Sequence, residues 1–136
     1  MRRLFLSVCL ATLATGPGAW AQECDPNDDS QAMMTICAGA DYQTADGKLN
    51  QTYQQIVRRN DQKTNLLLQA AQRAWISFRD AECTYTTAAS VGGSIHPMEV
   101  SQCLTALTNA RVKQLTSGAN CQQGDPSCAS QDEGDN

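Results

Sequence analysis

The placement of cysteine constrains this chain more than any other feature. There are seven cysteines in 136 residues, and the first, Cys9, lies inside an N-terminal segment laid out as a secretory leader. Arg2 and Arg3 give a positive start, Leu4 to Ala14 is an uncharged apolar run, and Ala19-Trp20-Ala21 offers small residues where a signal peptidase reads. The apolar run is too short to span a bilayer as a helix. Cleavage is therefore expected before Gln22, removing residues 1–21 and the odd cysteine with them. The six that remain, Cys24, Cys37, Cys83, Cys103, Cys121 and Cys128, form an even set bound for an oxidising compartment, the periplasm or the exterior, where thiols pair. Six cysteines allow fifteen pairings. Proximity in sequence favours Cys24–Cys37, Cys83–Cys103 and Cys121–Cys128, and closing a loop of roughly 15 residues stabilises a fold by about 3 kcal/mol. The absence of any C-x-x-C pair argues against zinc. Glu23 immediately before Cys24 does not suit lipid attachment, so no membrane anchor is expected after cleavage.

Export also changes the charge. The whole chain carries ten Lys and Arg against 14 acids, a net charge of −4. Without Arg2 and Arg3 the balance is eight against 14, or −6. Glu23, Asp25, Asp28 and Asp29 precede the helical region, and Asp125, Asp132, Glu133 and Asp135 follow it, so an almost neutral middle lies between acidic ends. Nothing here builds the basic patch that nucleic acid requires.

Periodicity predicts helices throughout. Asp25-Pro26-Asn27 is turn chemistry. Asp28, Asp29 and Ser30 can cap a short N-terminal helix ending near Cys37, with Gly39 loosening the chain after it. Tyr42, Ala45, Leu49, Tyr53 and Ile56 then recur at steps of three and four, the spacing of one helical face. Asn60 can stop that helix, and Asp61 or Thr64 can start the next. For this second main helix, Leu67, Ala71, Ala74, Trp75, Phe78 and Tyr85 are the expected buried stripe, and a run to about Ala89 would make it the longest of the chain. Val91 to His96 is a glycine-containing loop. Pro97, followed by Glu99, opens the last helix, lined by Val100, Leu104, Leu107, Val112 and Leu115 and ended by Ser117-Gly118. The expected fold is all-α: a small disulfide-stapled bundle of three main helices plus a short N-terminal helix, spanning 22–118, with an acidic tail at 119–136. No alternating run, repeat or heptad array interrupts this pattern.

Few residues offer chemistry. A nucleophilic triad needs a base, a nucleophile and an orienting group in mutual reach, and the single histidine, His96, sits in a glycine-rich loop beside Ser94. Asp80 and Glu82 are two apart on a helix and so point in different directions, unlike the paired carboxylates of a glycosidase. No catalytic constellation, metal set or cofactor motif is present, and a binding protein is expected rather than an enzyme. Gly92, Gly93, Ser94 and His96 form the candidate partner-binding loop, because Gly92-Gly93 permits positive φ and close backbone approach. A Cys83–Cys103 bridge around it would lower the entropic cost of association. Trp75 and Arg79, one turn apart, can touch; they fit either a presented anchor or a core tryptophan edged by arginine. Asp46 could pair with Arg79 or Arg73 and fix helix register.

The segment Ala71-Gln72-Arg73-Ala74-Trp75-Ile76-Ser77-Phe78-Arg79-Asp80-Ala81-Glu82-Cys83 resembles the signature of the lysozyme inhibitor LprI-like family. Met33-Met34-Thr35-Ile36-Cys37-Ala38, Ala45 to Tyr53, and the Gly92-Gly93-Ser94 loop leading to Cys103-Leu104 and Arg111 fit the same pattern in order, so the resemblance covers roughly Cys24 to Leu115. It implies an exported helical domain with paired cysteines that binds lysozyme and blocks its action on peptidoglycan. Cys121 and Cys128 are additions to the family pattern, and the lipid-attachment cysteine of the name-giving type is missing. An envelope structural or adaptor protein, bound to another envelope protein, is the alternative reading.

Overall fold

The computed structural model describes residues 23–120 together with Asp125 and Cys128. The expected leader and most of the expected tail, including Cys121 and so the expected Cys121–Cys128 bridge, lie outside the described residues. Among the described residues there are no strands. Three helices make the fold: α1 (Gln31–Val57), α2 (Gln62–Thr86) and α3 (His96–Ala119), with a single 3-10 turn at Ala88–Ser90 between α2 and α3.

Each helix begins where its local chemistry allows. Ser30 is extended, and its Oγ accepts from the Met33 backbone N–H at 3.2 Å. Asp61, not Thr64, caps α2, accepting from the Thr64 backbone N–H at 2.8 Å and from the Thr64 hydroxyl at 2.9 Å. These side-chain oxygens satisfy first-turn donors that the helix itself cannot. Pro97 stands in the first turn of α3, where its missing N–H costs nothing.

Two expectations are corrected here. There is no separate short N-terminal helix: residues 31–57 are one continuous helix of 27 residues, longer than the 25 of α2. Glycine lowers helix stability by about 1 kcal/mol relative to alanine, but Gly39 and Gly47 do not break α1. Met33, Ala38, Ala45, Leu49 and Ile56 form a buried row along its whole length, and that packing outweighs local propensity. The second correction concerns α2. Its expected buried stripe faces outward: Leu67, Ala71, Ala74, Phe78 and Tyr85 are exposed and only Trp75 is partly covered. The inward face is Leu68, Gln72, Trp75, Arg79 and Cys83, one position round the helix. α2 also stops at Thr86 rather than near Ala89. The Thr86 and Thr87 hydroxyls fold back onto the Glu82 and Cys83 carbonyls at 2.9 and 2.7 Å, and the chain tightens into the 3-10 turn.

Short connections make α1 and α2 antiparallel, and α2 and α3 likewise, so α1 and α3 run parallel. They form the main packed pair of the bundle. Gln31 at the start of α1 reaches the Met98 sulfur near the start of α3, while Leu49 and Ile56 of α1 pack with Val112 and Leu115 of α3 toward the other end. Leu68 and Trp75 of α2 lie against that cluster. Cys24–Cys37 pins the entry segment to α1, and Cys83–Cys103 ties α2 to α3. Both disulfides therefore sit at the end of the bundle where α1 and α3 begin and α2 finishes.

Candidate functional site

That disulfide-bearing end carries the connection from Thr87 to His96, and its conformation is specified almost atom by atom. Ser90 N–H donates to the Thr87 carbonyl at 3.1 Å, Gly93 N–H to the Ser90 carbonyl at 2.9 Å, and His96 N–H to the Gly93 carbonyl at 3.2 Å. Gly92 holds φ +83°, the one positive φ among the described residues, a region where a side chain is strained. At Gly93 the restriction is spatial, since an added Cβ would stand 3.1 Å from the Ser90 carbonyl oxygen. The loop root is closed by Cys83–Cys103. On this frame Val91, Ser94 and Ile95 stand in solvent, with Val91 69 % and Ile95 40 % exposed.

His96 is not paired with Ser94. Its Nδ1 lies 3.0 Å from the Ser90 hydroxyl, and that hydroxyl gives its one hydrogen to the Thr87 carbonyl at 2.9 Å. The pair braces the loop against the start of α3. Beneath it a shallow cleft of about 340 Å³ is bounded by Asp80, Thr84, Thr87, His96, Val100 and Leu104, with Cys83 among its lining residues. Of the residues predicted from sequence, the fold thus brings Asp80 and His96 to one cleft under the loop.

Trp75, Arg79 and Asp46 lie elsewhere, within the body of the bundle. The Arg79 guanidinium carbon is 5.7 Å from the Tyr42 ring centre on α1 and 5.3 Å from that of Trp75. Arg111 of α3 covers Trp75 at 5.7 Å. The result is a ladder Tyr42–Arg79–Trp75–Arg111 that joins all three helices by cation–π stacking. Arg79 is buried, and carboxylates flank it: Asp80 Oδ1 receives Nη2 at 2.8 Å and Nε at 2.9 Å, and Asp46 Oδ1 stands 3.9 Å from Nη1. Arg111 donates through Nε to Gln72 Oε1 at 3.1 Å and through Nη1 to Gln114 Oε1 at 2.6 Å. Desolvation draws its proton affinity below the usual arginine value. This group sets how the helices meet. Among the described residues no cluster of three metal-ligating side chains occurs, and no helix is long and apolar enough to cross a membrane.

Charge separates along the bundle axis. Glu23, Asp25, Asp28, Asp29, Asp80, Glu82 and Glu99 gather toward the loop end; the base nearest to them among the described residues is Arg79, in the body of the bundle and already flanked by carboxylates. Arg58, Arg59, Lys63, Arg111 and Lys113 lie toward the opposite end, with Asp61. Sequence reasoning did not see this, because the acids come from three separate stretches that only the fold assembles. Val91 and Ile95 lay inside the loop that sequence reasoning singled out but were not named among its contact residues, and Ser90 was not singled out. Large aliphatic residues flanking a glycine pair between two helices were the available signal for the first two; the Ser90–His96 pairing has none.

The lysozyme inhibitor LprI family model matches residues 22–115, most of the chain and all of this geometry. The chain belongs to the LprI lysozyme inhibitor family. An uncharacterised protein of Rhizobium meliloti (strain 1021) is 36 % identical over 131 residues, covering 85 % of this chain and 94 % of that protein. The uncharacterised protein YecT of Escherichia coli (strain K12) is 29 % identical over 111 residues, covering 71 % of this chain and 68 % of YecT. No solved structure matches. The LprI match includes the ladder residues, the four cysteines of the two described disulfides, and the loop.

Proposed function

We propose that this LprI-family chain is an exported inhibitor of lysozyme-type peptidoglycan hydrolases, acting in the periplasm or outside the cell. It works by seating its loop end in the enzyme's substrate cleft. The observation that carries this reading is the match to an inhibitor family over residues 22–115. The geometry supports the manner of inhibition. A glycosidase cleft is concave and long enough for several sugars, and a convex, pre-formed wedge excludes the polysaccharide without any covalent step. Val91 and Ile95 supply the apolar tip, and the disulfide and backbone bonds beneath them hold the loop before encounter, so little order is lost on binding. The acidic loop end steers the inhibitor toward a cationic enzyme and speeds association.

The test is lysis of a peptidoglycan suspension, followed by turbidity, by c-, g- and i-type lysozymes with the purified chain added. Near-stoichiometric inhibition of at least one type is expected. Val91→Asp with Ile95→Asp should weaken it by about tenfold or more while leaving helical content unchanged. No inhibition of any type at molar excess refutes the proposal and leaves the envelope adaptor role as the reading to pursue.

A further inference from the structure

The outward face of α2 is the feature left unused by the loop. Leu67, Ala71, Ala74, Phe78, Ala81 and Tyr85 follow steps of four, three, four, three and four, so they lie on one line along the helix. None is charged and all are exposed, the three large ones by 66 % for Leu67, 53 % for Phe78 and 78 % for Tyr85. A contiguous apolar face of this kind on a small domain marks an interaction surface.

We infer that this face pairs with a second copy of the chain, α2 against α2, antiparallel about a two-fold axis level with Ile76. Three observations select that occupant. The first is the order of residues. Reversing α2 about position 76 exchanges 67 with 85, 71 with 81 and 74 with 78. Phe78 then lies on the partner's Ala74, Ala71 meets the partner's Ala81, and Leu67 meets the partner's Tyr85. The central aromatics find small residues opposite, and the alanines allow the close helix approach that such packing needs. An isologous interface requires this self-complementarity.

The second observation is charge. An antiparallel pair sets the acidic loop end of each copy beside the basic end of the other, which carries Arg58, Arg59 and Lys63. A parallel pair would place like charges together. The third is area. At these exposures the large side chains and the alanines between them offer on the order of 500–600 Å² per copy, about 1,000–1,200 Å² for the pair. That is the lower end of stable interfaces, so association on the order of micromolar is expected. The pairing leaves both 91–96 loops at opposite ends of the dimer, and it does not depend on what those loops bind.

Sedimentation velocity of the purified full chain over about 1–200 µM tests the proposal. A monomer–dimer equilibrium is expected. Phe78→Asp and Ala74→Glu should each raise the dissociation constant by about tenfold or more. Both side chains are exposed in the single copy, so helical content by circular dichroism should hold, and Tm should hold at concentrations well below the parent's dissociation constant. A spin label at position 85 should lie about 27 Å along the axis from its twin, 18 residues at 1.5 Å each. A single copy at every concentration, a dimer indifferent to both substitutions, or labels at position 85 side by side would overturn the assignment.

Discussion

Gly39→Ala combined with Gly47→Ala should make this protein more stable. Both glycines lie inside α1, and an added Cβ at either meets nothing within 4 Å. Alanine therefore costs no packing. It removes the excess freedom of glycine in the unfolded chain, worth about 0.4–1 kcal/mol per site. The sites are eight residues apart, about 12 Å along the axis, and share no partner, so their effects should add to roughly 1–2 kcal/mol. For a domain near 100 residues each kcal/mol moves Tm by about 4–8 °C. The pair should raise Tm by roughly 4–16 °C, with the single variants each giving about half, measured by thermal circular dichroism at 222 nm. Gly92→Ala is the internal control of opposite sign. The space there is equally open, but φ +83° penalises any side chain by about 1–2 kcal/mol, so its Tm should fall. If the double variant is unchanged or less stable, α1 is not a continuous helix through Gly39 and Gly47, and the account of how its buried row overrides local propensity fails.

Replacing Cys83 and Cys103 together by serine opens a loop with a sequence separation of 20 and should cost about 3 kcal/mol in urea unfolding; a loss below 1 kcal/mol would show that the bridge does not constrain the unfolded chain as argued. Asp61 accepts two hydrogen bonds from Thr64, which holds its carboxyl below 3.8. Because the folded value is the lower one, its stabilisation is complete above 3.8 and is lost as pH falls through the folded value. Asp61→Asn keeps an acceptor for the cap but cannot titrate, so urea midpoints should decline less steeply below about pH 4; a profile as steep as the parent's would remove Asp61 from the explanation. Trp75→Ala breaks two of the three stacked contacts of the ladder and should cost roughly 2–4 kcal/mol. A double-mutant cycle between Asp46 and Arg79, at 3.9 Å with Asp46 partly exposed, should return less than about 1 kcal/mol.

The sequence made α1 legible from Tyr42 onward, because its buried residues are the apolar ones and repeat at helical spacing. It made α2 legible as a helix but misassigned its inner face. A periodicity argument sends the most apolar stripe to the core, and here the core-facing stripe contains Gln72 and Arg79. Those two are accommodated by partners on other elements: Arg111 for Gln72, and Tyr42 and Asp46 for Arg79. Of these, Asp46 was readable as a partner of Arg79, whereas Tyr42 and Arg111 came into view only once the helices were assembled. Cys24–Cys37 and Cys83–Cys103 were favoured by proximity alone because each bridges close neighbours in sequence. At the site, Gly92 could be chosen because only one chemical property, tolerance of positive φ, singles it out. The Ser90–His96 brace depends on a 3-10 turn set by threonine hydroxyls, and no spacing rule announces that.

The position of the two disulfides has a consequence for how the molecule opens. Both lie at the loop end, while the turn at residues 58–61 is held by the Asp61 cap and by Asn65, whose side chain donates to the Val57 carbonyl at 2.9 Å. Among the described residues no disulfide crosses the turn end, where the backbone turn and the packing of Leu49, Ile56, Val112 and Leu115 hold the helices, so local openings there are not limited by a cross-link. Amide hydrogens of α2 near Leu66 should exchange with deuterium well before those near Cys83. Breathing of this kind leaves the 91–96 loop in its folded shape through most local openings. The loop surface is thereby more persistent than the domain that carries it.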